Sequence, residues 1–328
     1  MFAIGCQLDS LQGQAPLVDA AQPAREPDRI QVAVQRALPA VAERGQWWID
    51  EKNCVSCHRV GNMVWTLGAA EDRGFSVPVD LPQVVRWAVE SSLALDPQGV
   101  SAAAKNKEGI AQLLMADQVR SVLDADLAMD WRRMIAESQE EDGCWSPGGQ
   151  LPAQKRPAEE TRLVSTMWLA LALAASNGSE QFAPTVGRAV QAVQAYSAPP
   201  QSTEWFVTAL LLADAVDDSD WRETVRSRLL ALQRADGGWG WLHAEASDAL
   251  ATGMALYALA RTASTSSEAI RRAQHFLVST QQPDGTWQVP GTKAKKKDRP
   301  QETASYWGTA WAALGLITSM ADTVPPSS

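Results

Sequence analysis

Beyond Arg29, apolar residues recur at three- and four-residue spacing along nearly the whole chain, the period of a helix that buries one face. Ala and Leu dominate the stretches 163–175, 205–216 and 249–260. No alternating Val/Ile/Thr run is long enough to suggest a sheet, so the expected fold class is all-α. Residues 1–28 are rich in Ala, Gln, Pro and Asp, show no sustained period, and read as a flexible leader. The expected folded unit is therefore 29–324, followed by a short tail, 325–328.

The helical pattern repeats. Gln281-Gln282-Pro283-Asp284-Gly285-Thr286-Trp287 matches Gln233-Arg234-Ala235-Asp236-Gly237-Gly238-Trp239 and, further back, Gln139-Glu140-Glu141-Asp142-Gly143-Cys144-Trp145. Successive spacings fit a period of about 47 residues, a length that accommodates one helical hairpin. Each Gly-x-Trp ends an amphipathic helix and precedes an Ala/Leu-rich one, with Asp-Gly supplying the turn. Filling in the period predicts degenerate copies near 188–200 and 84–97. A sixth begins at Arg44-Gly45, which aligns with Arg272-Ala273, and its turn is Cys54-Val55-Ser56-Cys57-His58. The loops after Trp145 and Trp287 also match, through Lys155-Arg156-Pro157 and Arg299-Pro300. Six hairpins are expected.

Arg272, Ala273, Phe276, Leu277, Gln282, Gly285 and Trp287 together resemble the QW repeat of the squalene–hopene cyclase and protein prenyltransferase superfamily; Arg228, Gln233, Gly237 and Trp239 match it in part. The resemblance spans roughly 30–320 and implies an (α/α)6 toroid, six inner and six outer helices around a central cavity. It also gives a structural role to an unusual composition, 14 Trp beside 5 Phe and 3 Tyr, by placing Trp at helix ends where it caps by stacking. It does not carry the cyclase activity. The Asp-x-Asp-Asp acid of squalene-type cyclases has no counterpart. The nearest run, Asp217-Asp218-Ser219-Asp220, stands where a helix N-cap belongs, and no prenyltransferase zinc set is recognisable.

The formal charge of −9 argues against nucleic acid or an anionic membrane as partner. The informative chemistry is Cys54-x-x-Cys57-His58, the attachment signature of haem c. Two thiols at that spacing reach the two vinyl groups of one porphyrin, and the adjacent imidazole reaches the iron. Cys54 and Cys57 are thus the expected thioether anchors and His58 the axial ligand. A half zinc site, a dithiol redox pair and a structural disulfide are the alternatives. A zinc site usually has a second ligand pair, and a thioredoxin-like motif has a βαβ setting.

For the sixth iron position the sequence offers His243, in the loop after the fifth turn and hence on the same rim as His58. His275 lies mid-helix and reads as a packing or surface residue. Met63, Met167 and Met254 are further ligand candidates that also read as helix-packing residues. Cys144 reads as a buried thiol. Trp168, Trp205, Trp307 and Trp311 read as core that could line the cavity. Lys293, Lys295, Lys296, Lys297 and Arg299 form a basic loop on an acidic chain. With Lys155 and Arg156 they are candidates for docking an acidic redox partner or for contacting haem propionates, and a solvated loop is the plainer reading.

Haem c attachment takes place outside the bacterial cytoplasmic membrane, which points to a periplasmic or otherwise exported chain. Ala3-Ile4-Gly5-Cys6 resembles the end of a lipoprotein signal, making Cys6 a candidate lipid anchor with the true start upstream. The leading expectation is electron transfer by one covalent haem. A haem-dependent enzyme acting on a hydrophobic molecule in the cavity and a non-catalytic toroid scaffold are the alternatives.

Overall fold

A computed structural model of the chain describes residues 26–52, 59–148, 153–174, 179–262, 267–295 and 299–320. Among them stand thirteen α-helices: α1 (Glu26–Lys52), α2 (Val60–Asp72), α3 (Leu81–Leu93), α4 (Ala102–Lys105), α5 (Lys107–Val119), α6 (Ala125–Glu137), α7 (Ala158–Ala174), α8 (Ala183–Gln194), α9 (Thr203–Ala215), α10 (Ser219–Ala231), α11 (Ala249–Thr262), α12 (Ser267–Thr280) and α13 (Glu302–Ser319). No helix among the described residues is long and apolar enough to cross a membrane. Helix α1 starts at Glu26, slightly ahead of the expected boundary, and takes in the last residues of the expected leader; the rest of the leader and the tail lie outside the described residues.

Two kinds of helix alternate. Helix α8 buries only Val186, Ala189 and Val193, one stripe at helical spacing, and leaves its other face to solvent. Helix α9 is buried continuously from Thr203 to Ala213, and α2 from Val60 to Ala70, so these have no solvent face. The fully buried class is α2, α5, α7, α9, α11 and α13. They pack in that cyclic order, and α13 closes on α2. The helices α1, α3, α6, α8, α10 and α12 each precede one of them on the outside. This is the expected (α/α)6 toroid. Asp218 caps α10 by accepting from the Trp221 N–H, the role read for the acidic run 217–220.

The repeated turns show what holds neighbouring pairs together. In each, an Asp carboxylate accepts the N–H two residues on, and Gly143, Gly237 and Gly285 adopt φ of +83°, +90° and +84°. The indoles of Trp145, Trp239 and Trp287 donate to the carbonyls of Ile135, Leu229 and Leu277 at 2.8–2.9 Å, ten residues back at the end of the outer helix. Their backbone N–H groups are received by Thr166, Thr252 and Thr309 of the inner helix. The tryptophans thus cap by hydrogen bonding rather than by stacking. Each turn is then fastened to the next outer helix: Gln139, Gln233 and Gln281 donate to the carbonyls of Thr185, Ala269 and Ala33. The last of these closes the ring.

That closure corrects the register read for the first repeat. The counterpart of Arg272 is Arg36, whose Nη2 donates to the carbonyls of Gln282 and Pro283 at 2.9 and 2.8 Å. Arg44 lies about two helical turns further along α1. This helix is longer than its counterparts, so its periodic pattern fits more than one alignment.

The cavity implied by the resemblance is filled along part of its length. Trp65 of α2 meets Trp168 of α7, Tyr257 of α11 and Trp311 of α13, with ring centroids 6.2, 5.4 and 5.2 Å away. Neither α7 nor α11 neighbours α2 in the ring, so these side chains meet on the axis. Above them the two matching loops touch. Gln154 pairs with Lys293 in an antiparallel bridge, the Lys155 N–H donates to Thr292 at 2.9 Å, and the Ala294 N–H to Ala153 at 3.1 Å. Helices α7 and α13 stand opposite one another, so this contact straps the mouth of the toroid.

A Cβ on Gly285 would lie 2.0 Å from the Arg36 carbonyl oxygen, and its φ is unfavourable for any L side chain. Gly285→Ala should cost about 2 kcal/mol or more. Gly187→Ala, inside α8 with nothing within 4 Å, should instead stabilise by about 0.5–1 kcal/mol. Urea denaturation of the two variants should give shifts of opposite sign.

Candidate functional site at the rim

Every inner helix leads away from the same rim, because each follows its outer partner through a turn at that end. Five of the six begin with an acid where the helix dipole favours negative charge: Glu108, Glu160, Glu204, Asp248 and Glu302. Glu108 accepts from the Gly148 N–H at 2.8 Å and the Ser165 hydroxyl at 3.1 Å. Glu160 accepts from the N–H groups of Gln201 and Ser202. Glu204 holds Arg156 at 2.7 Å and the Trp168 indole N–H at 2.9 Å. These contacts tie one inner helix to the loop or helix beside it.

The sixth inner helix, α2, starts with a cation. Arg59 is fully buried, pairs through Nη2 with Glu302, and lies over the rings of Tyr306 and Trp48 at 4.5 and 5.1 Å. The Tyr306 hydroxyl donates to its backbone carbonyl at 3.1 Å. Burial pushes the Tyr306 phenol up, opposed by the Arg59 charge. Among the described residues the Nε and Nη1 of Arg59 have no hydrogen-bond partner, nor does Nδ2 of Asn62, one turn into the same helix and 1% exposed. Sequence reasoning missed both. The available signal was an arginine directly after His58, heading a run of otherwise mostly apolar residues.

His243 is held on the loop between α10 and α11. Its N–H donates to the Gln201 carbonyl at 3.0 Å, Thr203 donates to Trp241 at 3.1 Å, and Asp248 accepts from the Trp241 N–H at 2.7 Å. The half-buried imidazole lies 5.4 Å from the Phe206 ring, and its Nε2 is buried without a partner among the described residues. Burial lowers its pKa, opposed by hydrogen bonding to the Ser202 backbone and by Glu160. The ring is therefore neutral at pH 7, tied on one side and with Nε2 free.

Cys54, Cys57 and His58 lie outside the described residues, as do Cys6, Lys296 and Lys297. Their described neighbours Lys52 and Arg59 bound the segment between α1 and α2. His243 and Arg59 stand on one rim. Two of the cations expected on an exposed docking patch do not belong there. The Arg156 side chain is 2% exposed, paired with Glu204 and stacked on Trp241, and that of Lys155 is 4% exposed and paired with Glu245. Both are spent inside the mouth of the toroid, where an unpaired charge would be costly. Arg299 and Lys295 are exposed.

The methionines Met63, Met167 and Met254 are fully buried, and Met63 packs against Gly45 of α1. Cys144 is a buried free thiol whose pKa burial raises. His275 is exposed on α12. Trp168 and Trp311 belong to the axial aromatic group, Trp307 packs on Trp241 at 5.5 Å, and Trp205 on Phe206 at 5.0 Å.

No protein-family model matches this chain, and no curated protein matches it in sequence. Solved structures do match in fold. An unsaturated glucuronyl hydrolase from Streptococcus agalactiae is 12% identical with a TM-score of 0.59, over 90% of this chain and 93% of that one. A type II terpene cyclase from Scytonema, in complex with geranylgeranyl dihydroxybenzoate, is 14% identical with a TM-score of 0.56, over 90% and 98%. A glycosyl hydrolase family 88 protein from Bacteroides vulgatus is 13% identical with a TM-score of 0.56, over 89% and 98%. All are α/α toroids, and the likeness is one of fold.

Asp248 anchors the His243 loop and carries a pH signature. Complete burial pushes its carboxyl up to about 6, against the opposing Ala251 and Trp241 N–H groups and Lys155. The native state therefore keeps a proton that the unfolded chain releases near pH 4. Relative to Asp248→Asn, the wild type should lose about 2–3 kcal/mol of stability as pH rises from 4 to 7. Denaturant midpoints of both proteins across that range provide the check.

Proposed function

We propose that this chain is an exported monohaem c-type protein serving electron transfer. The sequence motif names the group, and the observation that supports it structurally is the buried, unpartnered Nε2 of His243 on the rim that Arg59 also occupies. Cys54 and Cys57 would hold the porphyrin, each S–H adding across one vinyl C=C with no atom lost, and His58 would be the axial ligand. A haem so bound supplies one-electron chemistry at iron, at a potential set by its ligands and surroundings.

The setting of His243 supports this reading. A histidine that ligates a metal is commonly oriented by a hydrogen bond at its other ring nitrogen, and hydrogen bonding to the Ser202 backbone does this for His243. Its lowered pKa keeps it unprotonated, as a ligand must be. Phe206, itself packed on Trp205, supplies an apolar ring beside it. His243 is accordingly the proposed second axial ligand. Exposed Lys295 and Arg299 are the proposed contacts for an acidic redox partner. Cys6 is the proposed lipid attachment point, which would keep the chain at a membrane surface outside the cytoplasm.

The axial aromatic group weighs against the alternative of a hydrophobic substrate lying along the bore, since four rings already fill it at their level.

The test is intact mass with a reduced-minus-oxidised spectrum, on protein made in an exporting host that carries cytochrome c maturation machinery. One added haem and a sharp low-spin α band are expected. His243→Ala should keep the added mass and turn the spectrum high-spin. Unchanged spectra in that variant would remove His243 from the iron, and a wild-type chain without added mass would remove the haem.

A further inference from the structure

A fully buried arginine with two nitrogens unsatisfied is expensive, because each desolvated donor forfeits its bonds to water. Arg59 is held in that state by strong constraints. Its guanidinium lies over the rings of Tyr306 and Trp48, and Nη2 is spent on Glu302, whose side chain is half exposed. Nε and Nη1 remain. One turn along α2, Nδ2 of Asn62 is likewise buried and unpartnered. Three donor atoms, one group of them cationic, thus stand in the first turn of a thirteen-residue helix whose N-terminal dipole end also favours negative charge. The neighbouring acids Glu108, Glu160, Glu204 and Asp248 all have donors of their own. The unmet demand at α2 is for an anion with acceptor oxygens.

We infer that Arg59, assisted by Asn62, binds a carboxylate of the tetrapyrrole attached through the preceding cysteines. The inference rests on the haem reading and deepens it. Arg59 follows His58 directly in the chain, so the residue with the stranded donors is the one that ends the attachment motif's segment. A propionate carries two acceptor oxygens and a negative charge, and so can accept from the orphaned N–H groups of a cation that Glu302 engages through Nη2 alone. In this role Arg59 is a positioning residue: it fixes the edge of the macrocycle and raises the midpoint potential by placing positive charge near the iron.

The experiment uses the haem-loaded full chain, comparing wild type, Arg59→Gln, Arg59→Lys and Glu302→Gln by spectroelectrochemistry and resonance Raman. Arg59→Gln should lower the midpoint potential by at least a tenfold change in the reduced-to-oxidised ratio, which is 59 mV for one electron. It should also shift the propionate bending band. Arg59→Lys should move the potential less, and Glu302→Gln should move it the opposite way with the band unchanged. A purely structural Arg59 predicts equal potentials and an unshifted band at equal haem content, and that result would overturn the assignment. If Arg59→Gln does not fold, an unmoved potential in both Arg59→Lys and Glu302→Gln overturns it equally. A wild-type chain that takes up no haem defeats the underlying reading instead, and its mass reports this separately.

Discussion

The toroid depends on one recurrent constraint, the seating of each outer-to-inner turn against the next outer helix. A glutamine at the end of one outer helix reaches a backbone carbonyl of the next, a glycine with positive φ lets the two backbones approach, and an arginine of the next helix reaches back. Such polar contacts are individually worth about 1 kcal/mol. Their importance is geometric. They set the angle between successive pairs, and only a consistent angle brings Gln281 to Ala33 and Gly285 to Arg36 so that the ring closes.

Closure has electrostatic consequences. Six inner helices that all start at one rim gather six positive dipole ends there, and five of them are balanced by acids. The exception is the helix beginning immediately after Cys54–His58, where a buried arginine adds to the positive end. A helix start of that sign differs in kind from the rest of the rim. It stands where the repeat pattern is broken in sequence.

Proteins of the same fold include a glucuronyl hydrolase and a terpene cyclase, yet their likeness to this chain stays at the level of backbone architecture. In the present chain the axis is packed by Trp65, Trp168, Tyr257 and Trp311, and the mouth is strapped by loops from opposite sides. Burial pushes the Tyr257 phenol up to about 12, in keeping with a ring that serves packing rather than proton transfer.

The helical class, the six pairs and the division into half-buried and fully buried helices were legible in the chain alone, because hydrophobic period reports directly which face of a helix meets water. The sequence also led to the expectation that His243 shares a rim with the Cys54–His58 motif, since chain order dictates at which end each turn falls. The register of the first repeat escaped it: Arg36 and Arg44 have similar local surroundings, and only contact with Gly285, from the other end of the chain, distinguishes them. The burial of Lys155 and Arg156 escaped it as well, because a lysine or arginine in a loop reads as solvated unless its partner is known, and Glu204 and Glu245 come from other repeats. The filling of the bore and the stranded donors of Arg59 belong to the same class. Each is decided by which residues meet across a closed ring, a relation that no local pattern encodes.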